Sequence, residues 1–204
     1  MMRPQPNLEM LGITEAFYPD QDGLGEWSHA TFLQESSKLY NPDHSHLVDA
    51  TIGWLWTNAA NESRGRSIVG EAKLLPPVQS RWSSAMFHFQ IRQWFGFTPD
   101  FLITISSDFA RFCDDMTFCA LIEHELYHCA QKVDLFGMPA FDREGNPSFT
   151  MKGHDVEEFV GVARRYGADA TGTKELKKAL EEGPTIGLAS VAAACGTCQM
   201  KRVA

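Results

Sequence analysis

The chain reads as an α+β domain, and three observations carry that reading. Segments with apolar residues at helical spacing alternate with two bounded runs of β-formers. One of those runs leads into a capped, periodic helix, a strand-then-helix unit. With 204 residues there is enough chain for one substantial core, and the five tryptophans and fourteen phenylalanines supply large side chains for it.

In chain order, residues 1–42 carry scattered Pro, Gly and Asp and read as an irregular arm with one short helix around 28–40. Asp43 or Ser45 then caps an expected amphipathic helix in which Val48, Ile52, Leu55 and Ala59 recur at helical spacing, with Trp54 and Trp56 widening its buried face. Residues 67–75 alternate, with Ile68, Ala72 and Leu74 on one side and Glu71 and Lys73 on the other, which predicts a strand stopped by Pro76-Pro77. Residues 78–95 fit either period and lean to helix. Residues 101–106, rich in β-formers, predict a second strand. Directly after it, Asp114 or Asp115 caps a helix carrying Phe118, Leu121, Ile122, Leu126 and Cys129. Residues 141–149 read as two extended arms around a turn, which return the chain towards that helix. A further helix is expected from Asp155, with Phe159, Val162, Ala163 and Tyr166 as its stripe, and a last one from Lys174 to Glu182, ending at Gly183. No internal repeat stands out. The expected organisation is an arm (1–42), a domain (43–183) and a tail (184–204).

The formal charge of −8 argues against a broad surface for nucleic acid or anionic lipid, which needs clustered Lys and Arg. The short basic stretch Arg64-Gly65-Arg66 reads as a solvated turn. The N-terminus lacks the apolar segment of a secretory signal, and no run reaches the roughly 18 apolar residues of a membrane span. Five irregularly spaced cysteines fit reduced thiols, and the expected location is the cytoplasm. Cys195-Gly196-Thr197-Cys198 is a lone CxxC without the second pair that a zinc ribbon needs, and it reads as part of a flexible tail.

The chemistry is concentrated in His124-Glu125-Leu126-Tyr127-His128. Two imidazoles at i and i+4 project from one helical face a turn apart, as two ligands of a tetrahedral metal require, and zinc is the expected ion. Glu125 between them is placed to take a proton from an attacking water. A catalytic zinc takes three protein ligands, so a third is needed after the chain reverses. His154, 26 positions after His128, is the candidate, with Glu157 and Glu158 on the same helical face as rivals.

The segment 121–129, followed by Lys152-Gly153-His154-Asp155-Val156-Glu157-Glu158-Phe159 and Arg164-Arg165-Tyr166-Gly167, closely resembles the phage metallopeptidase family. The likeness extends upstream through Gly70-Glu71-Ala72-Lys73 and Pro99-Asp100-Phe101-Leu102-Ile103 and spans about residues 46–167. More distantly, the chain is similar to SprT-like zinc proteases. The resemblance implies a zincin-like fold, His124, His128 and His154 as zinc ligands, Glu125 as base, a protein or peptide substrate, and a phage or prophage origin, hence the host cytoplasm. The stretch between Pro76 and Pro99 is longer than the family leads one to expect. In zincins the strand before the motif helix forms the edge along which substrate lies, a role that residues 101–106 are expected to fill. A non-peptide amide hydrolase and a non-catalytic, metal-stabilised binding or virion-associated protein are the alternative functions.

Overall fold

The computed structural model describes residues 2–12, 14, 16–63, 66–76, 80–156, 160–170 and 172–186. Its elements in chain order are α1 (Leu8–Leu11), β1 (Phe17–Pro19), α2 (Leu24–Ser28), a π-helical turn (His29–Leu33), a 3₁₀ segment (Pro42–Asp49), β2 (Ile52–Thr57), β3 (Glu62–Ser63), β4 (Arg66–Ser67), β5 (Gly70–Leu74), α3 (Arg81–Phe95), β6 (Phe101–Ser106), α4 (Ser107–Phe112), α5 (Asp115–His128), β7 (Cys129–Gln131), β8 (Phe149–Met151), α6 (Val160–Ala170, broken at Gly167) and α7 (Lys174–Glu182). The class is α+β, as the sequence predicts.

A four-stranded sheet in the order β1-β2-β6-β5 organises the molecule. β2 and β6 are parallel, while β1 and β5 run antiparallel to their neighbours. Side chains alternate across this sheet. Trp54, Trp56, Ala72, Phe101, Ile103 and Ile105 face Phe118, Leu121, Ile122 and Leu126 of α5, whereas Leu55, Leu75 and Leu102 pack with Ile91 of α3. The motif helix therefore has one apolar face held against the sheet, an arrangement compatible with a zincin-like fold. Among the described residues no helix is long and apolar enough to cross a membrane.

The helix expected over residues 43–59 does not form. Asn41 caps a 3₁₀ segment with Pro42 in its first turn, and the chain then extends into β2. The spacing of Val48, Ile52, Leu55 and Ala59 is compatible with a helix, but Ile52-Gly53-Trp54-Leu55-Trp56-Thr57 is apolar at nearly every position. That is how a strand buried on both faces reads, and Gly53 to Thr57 are all buried between β1 and β6. Val48, assigned to the apolar face, is exposed.

Residues 1–42 hold more regular structure than their composition predicts. β1 closes one edge of the sheet, and Leu11, Tyr18, Leu24, Trp27, Phe32 and Leu33 are buried in the main core. Arg3 reaches the start of α5: its Nε donates to Asp115 Oδ1 at 2.6 Å, and its other nitrogens donate to the Ala110 and Cys113 carbonyls at 2.7 Å each.

α4 intervenes between β6 and the motif helix, where a direct connection was expected; Ser106 caps it by accepting from Phe109 N. The expected strand over 67–75, the strand at 101–106, the helix lean over 78–95 and the last helix appear as β5, β6, α3 and α7. The helix expected from Asp155 is described only from Val160, and Tyr166 on its stripe is exposed. Arg64-Gly65, Phe159 and the CxxC of the tail lie outside the described residues.

The return after α5 contains a short tandem repeat that the sequence reading passed over. Asp134-Leu135-Phe136-Gly137-Met138-Pro139-Ala140-Phe141 is followed at once by Asp142-Arg143-Glu144-Gly145-Asn146-Pro147-Ser148-Phe149, sharing Asp, Gly, Pro and Phe. Each copy folds into the same turn. Asp134 Oδ1 accepts from the N–H groups of Phe136 and Met138 at 2.8 and 2.9 Å, and Asp142 Oδ1 from those of Glu144 and Asn146 at 2.8 and 2.9 Å. Gly137 and Gly145 supply the positive φ each turn needs, 79° and 87°. The two turns project side by side beyond the β7–β8 pair, with Ala140 hydrogen-bonded to Lys132 on one side and Ser148 on the other. The repeat was inconspicuous because its period is eight residues and only the turn-forming positions and the Phe recur.

Candidate metal centre

Asp114 starts α5 as an N-cap. Its Oδ1 accepts from Thr117 N at 2.9 Å and its Oδ2 from the Thr117 hydroxyl at 2.7 Å, bonds that hold its carboxyl below the usual carboxylate range. The helix runs to His128 and passes directly into β7. Its apolar stripe fixes the rotation, so His124 and His128 share the side that the returning chain reaches.

Two hydrogen bonds clip that return to the end of the helix. Lys152 N donates to the His128 carbonyl at 2.9 Å, and His128 Nδ1 donates to the Lys152 carbonyl at 2.7 Å. A carbonyl can only accept, so the proton of a neutral His128 lies on Nδ1 and the lone pair on Nε2, the state in which an imidazole binds a metal. His154, two residues on, comes onto the same spot. His124 Nε2 stands 3.3 Å from His128 Nε2 and 3.2 Å from His154 Nε2, and the ligand atoms of all three lie within 4.8 Å of one another.

That spacing has a simple meaning. Zinc–nitrogen bonds of about 2.0–2.1 Å at tetrahedral angles put neighbouring nitrogens about 3.3–3.4 Å apart. The three residues fit a metal ion by donor type, by distance and, at His128, by tautomer. Burial first, and then the neighbouring His128 and His154, push the His124 pKa down from 6.5 to about 4, so its ring stays neutral and able to ligate through the neutral range. A cavity of about 190 Å³ opens beside the cluster, lined by the three histidines with Tyr127, Lys152, Gly153 and Asp155.

Glu125 is fully buried and lies against β5. A Cβ on Gly70 would come within 2.7 Å of Glu125 Oε1 and 2.9 Å of Leu121 Cδ1, so only a glycine there leaves room for the carboxylate. The sequence reading gave Gly70 no such part. An isolated glycine inside a strand was the available signal, because it marks close approach by another group.

The polar side of the helix is tied to the 3₁₀ segment, which the sequence reading also missed. Asn41 Nδ2 donates to Glu123 Oε1 and to the Tyr127 hydroxyl, both at 2.8 Å, and that hydroxyl donates to Asp43 Oδ2 at 3.0 Å. His46 Nε2 meets the Cys129 carbonyl at 2.7 Å. The Cys129 thiol is buried and turned to the Glu125 carbonyl, and burial holds its pKa well up. Cys113 and Cys119 are likewise free thiols.

The structure thus brings His124, His128 and His154 together and sets Glu125 beneath β5. Glu157 and Glu158 lie outside the described residues. β6 is paired on both sides, by β2 and β5, so it cannot form the edge expected of it; β5 ends the sheet instead. No curated protein and no solved structure matches the chain. The family model for Putative phage metallopeptidase matches residues 25–182, more than half of the chain, and the chain belongs to that family.

Proposed function

We propose that the chain is a zinc-dependent peptidase in which His124, His128 and His154 hold the ion and Glu125 is the general base. The observation that carries this reading is the convergence of three imidazoles, with His124 at tetrahedral spacing from each of the other two and with the residue after it a fully buried Glu. Zinc suits an all-nitrogen tetrahedral set, and as a Lewis acid it polarises the scissile carbonyl and acidifies water.

The chain's own groups do the rest. The Lys152 carbonyl orients the His128 ring. Glu125 accepts the proton of the attacking water and delivers it to the leaving amine. An extended substrate lies along β5, the end strand, whose Gly70 adjoins Glu125.

Glu125→Gln tests the assignment. It should leave metal content intact and lower kcat on casein by about 10²–10⁴-fold, the range expected for loss of a general base. Hydrolysis at the wild-type rate would refute it. Activity on small amides without casein cleavage would instead mark a non-peptide amidase.

A further inference from the structure

The two tandem turns act as an internal control on each other. Their hydrogen bonds agree within about 0.1 Å: Asp134 N donates to Met138 O and Asp142 N to Asn146 O at 2.8 Å each, and the glycine N–H groups donate to the Asp carbonyls at 3.1 and 3.2 Å. The Asp, the Gly and the Pro build each turn. The side chains at the two positions between Asp and Gly take no part in the turn's hydrogen bonds, and there the copies diverge. The second carries Arg143-Glu144, as expected of a solvated loop tip. The first carries Leu135-Phe136, which are 101% and 89% exposed, with Val133 and Met138 exposed beside them. Since an Arg-Glu tip supports the same turn, the fold gives no reason for a Leu-Phe tip. An apolar projection of this kind is a contact surface.

Its position says what it contacts. β7 begins at the residue after His128, β8 ends three residues before His154, and the Lys152–His128 bonds clip the base of the arm. A polypeptide gripped at the tip is tethered to an arm whose base adjoins the histidine cluster. Four side chains fall well short of the roughly 20–30 residues and about 800 Å² per partner of a stable interface between copies. The net charge of −8 disfavours an anionic membrane. A small apolar anchor does suit a flexible polypeptide whose other contacts lie at the site itself.

We infer that the Leu135-Phe136 turn is a substrate-binding arm that captures an apolar segment of a protein substrate outside the metal centre. This rests on the peptidase reading above.

The test uses the full-length, zinc-loaded Glu125→Gln protein as a non-cleaving trap, with β-casein as the probe. Adding Leu135→Ser and Phe136→Ser should weaken β-casein binding at least tenfold, while Arg143→Ser with Glu144→Ser in the neighbouring turn should leave it within about twofold. Melting temperature and metal content report that both double variants fold. Equal binding by the Leu135/Phe136 variant and its parent would overturn the inference, as would an equal loss in the Arg143/Glu144 variant. A change confined to oligomeric state, or to binding of phosphatidylcholine vesicles, would overturn it in favour of a second copy or a membrane. Failure of the peptidase reading shows separately, as full casein hydrolysis by Glu125→Gln alone.

Discussion

His124, half-buried, and His44, fully buried, are two imidazoles pushed from a pKa of 6.5 to about 4, each chiefly by burial and then by neighbouring histidines, yet they stand in opposite surroundings. His124 faces two other imidazoles across a cavity. His44 is sealed: it lies edge-on to Tyr127 with centroids 4.5 Å apart, Glu123 Oε1 is 3.9 Å from its Nε2, and neither ring nitrogen makes a hydrogen bond among the described residues. Both rings sit beside α5 and both stay neutral at pH 7. A depressed pKa therefore does not mark the site; the convergence of donors at ligand spacing does.

If the difference is that one imidazole belongs to a set of converging groups and the other is packed shut, moving a group of that set should damage function more than fold. Gly70→Ala does this at one atom, against Glu125. The new Cβ forces the Glu125 carboxylate aside, and a displacement of about 1 Å is expected to cost about 10²-fold in kcat. The stability cost should be small, because the displaced atoms end flexible side chains. Casein hydrolysis beside a thermal melt measures both. A normal rate would show that Glu125 does not act from where it lies.

How much of this was legible in the sequence depends on the range of the forces involved. The capped motif helix and the strand before it were readable because Asp114, the periodic Phe118, Leu121, Ile122 and Leu126, and the β-formers of 101–106 are local signals. The convergence of His154 on His124 was expected from ligand-number chemistry, and in the structure the two rings lie together. Strand order was not readable. β6 looked like an edge until β5, 31 residues upstream, paired on its free side, and no local pattern encodes that partner. β2 was misread as a helix because Val48, Ile52, Leu55 and Ala59 keep helical spacing by coincidence, while burial on both faces removes the alternation that betrays a strand. The tie from Asn41 and Asp43 to Tyr127 joins polar residues more than 80 positions apart and leaves no trace in periodicity.

The sealed histidine carries a smaller, pH-dependent prediction. The unfolded chain protonates His44 near pH 6.5 and the folded chain only near 4, so its contribution is complete above about 6.5 and is lost as pH falls through 4. The facing groups are His46, Asp43, Glu123 and Tyr127; His46 lowers the pKa and Asp43 raises it. The loss should reach on the order of 3 kcal/mol. In metal-free protein His124 adds a similar slope, so His44→Leu should remove about half of the acid destabilisation seen in urea titrations between pH 7.5 and 4.5. An unchanged slope would show that His44 is not sealed in the way described.

Metal content tests the comparison most directly. Purified wild type should carry one equivalent of zinc, and so should His44→Gln, while His124→Ala and His154→Ala should each fall below about a tenth of an equivalent as the three-nitrogen set is broken. A full equivalent retained by His154→Ala, or lost by His44→Gln in a protein that still folds, would contradict the account.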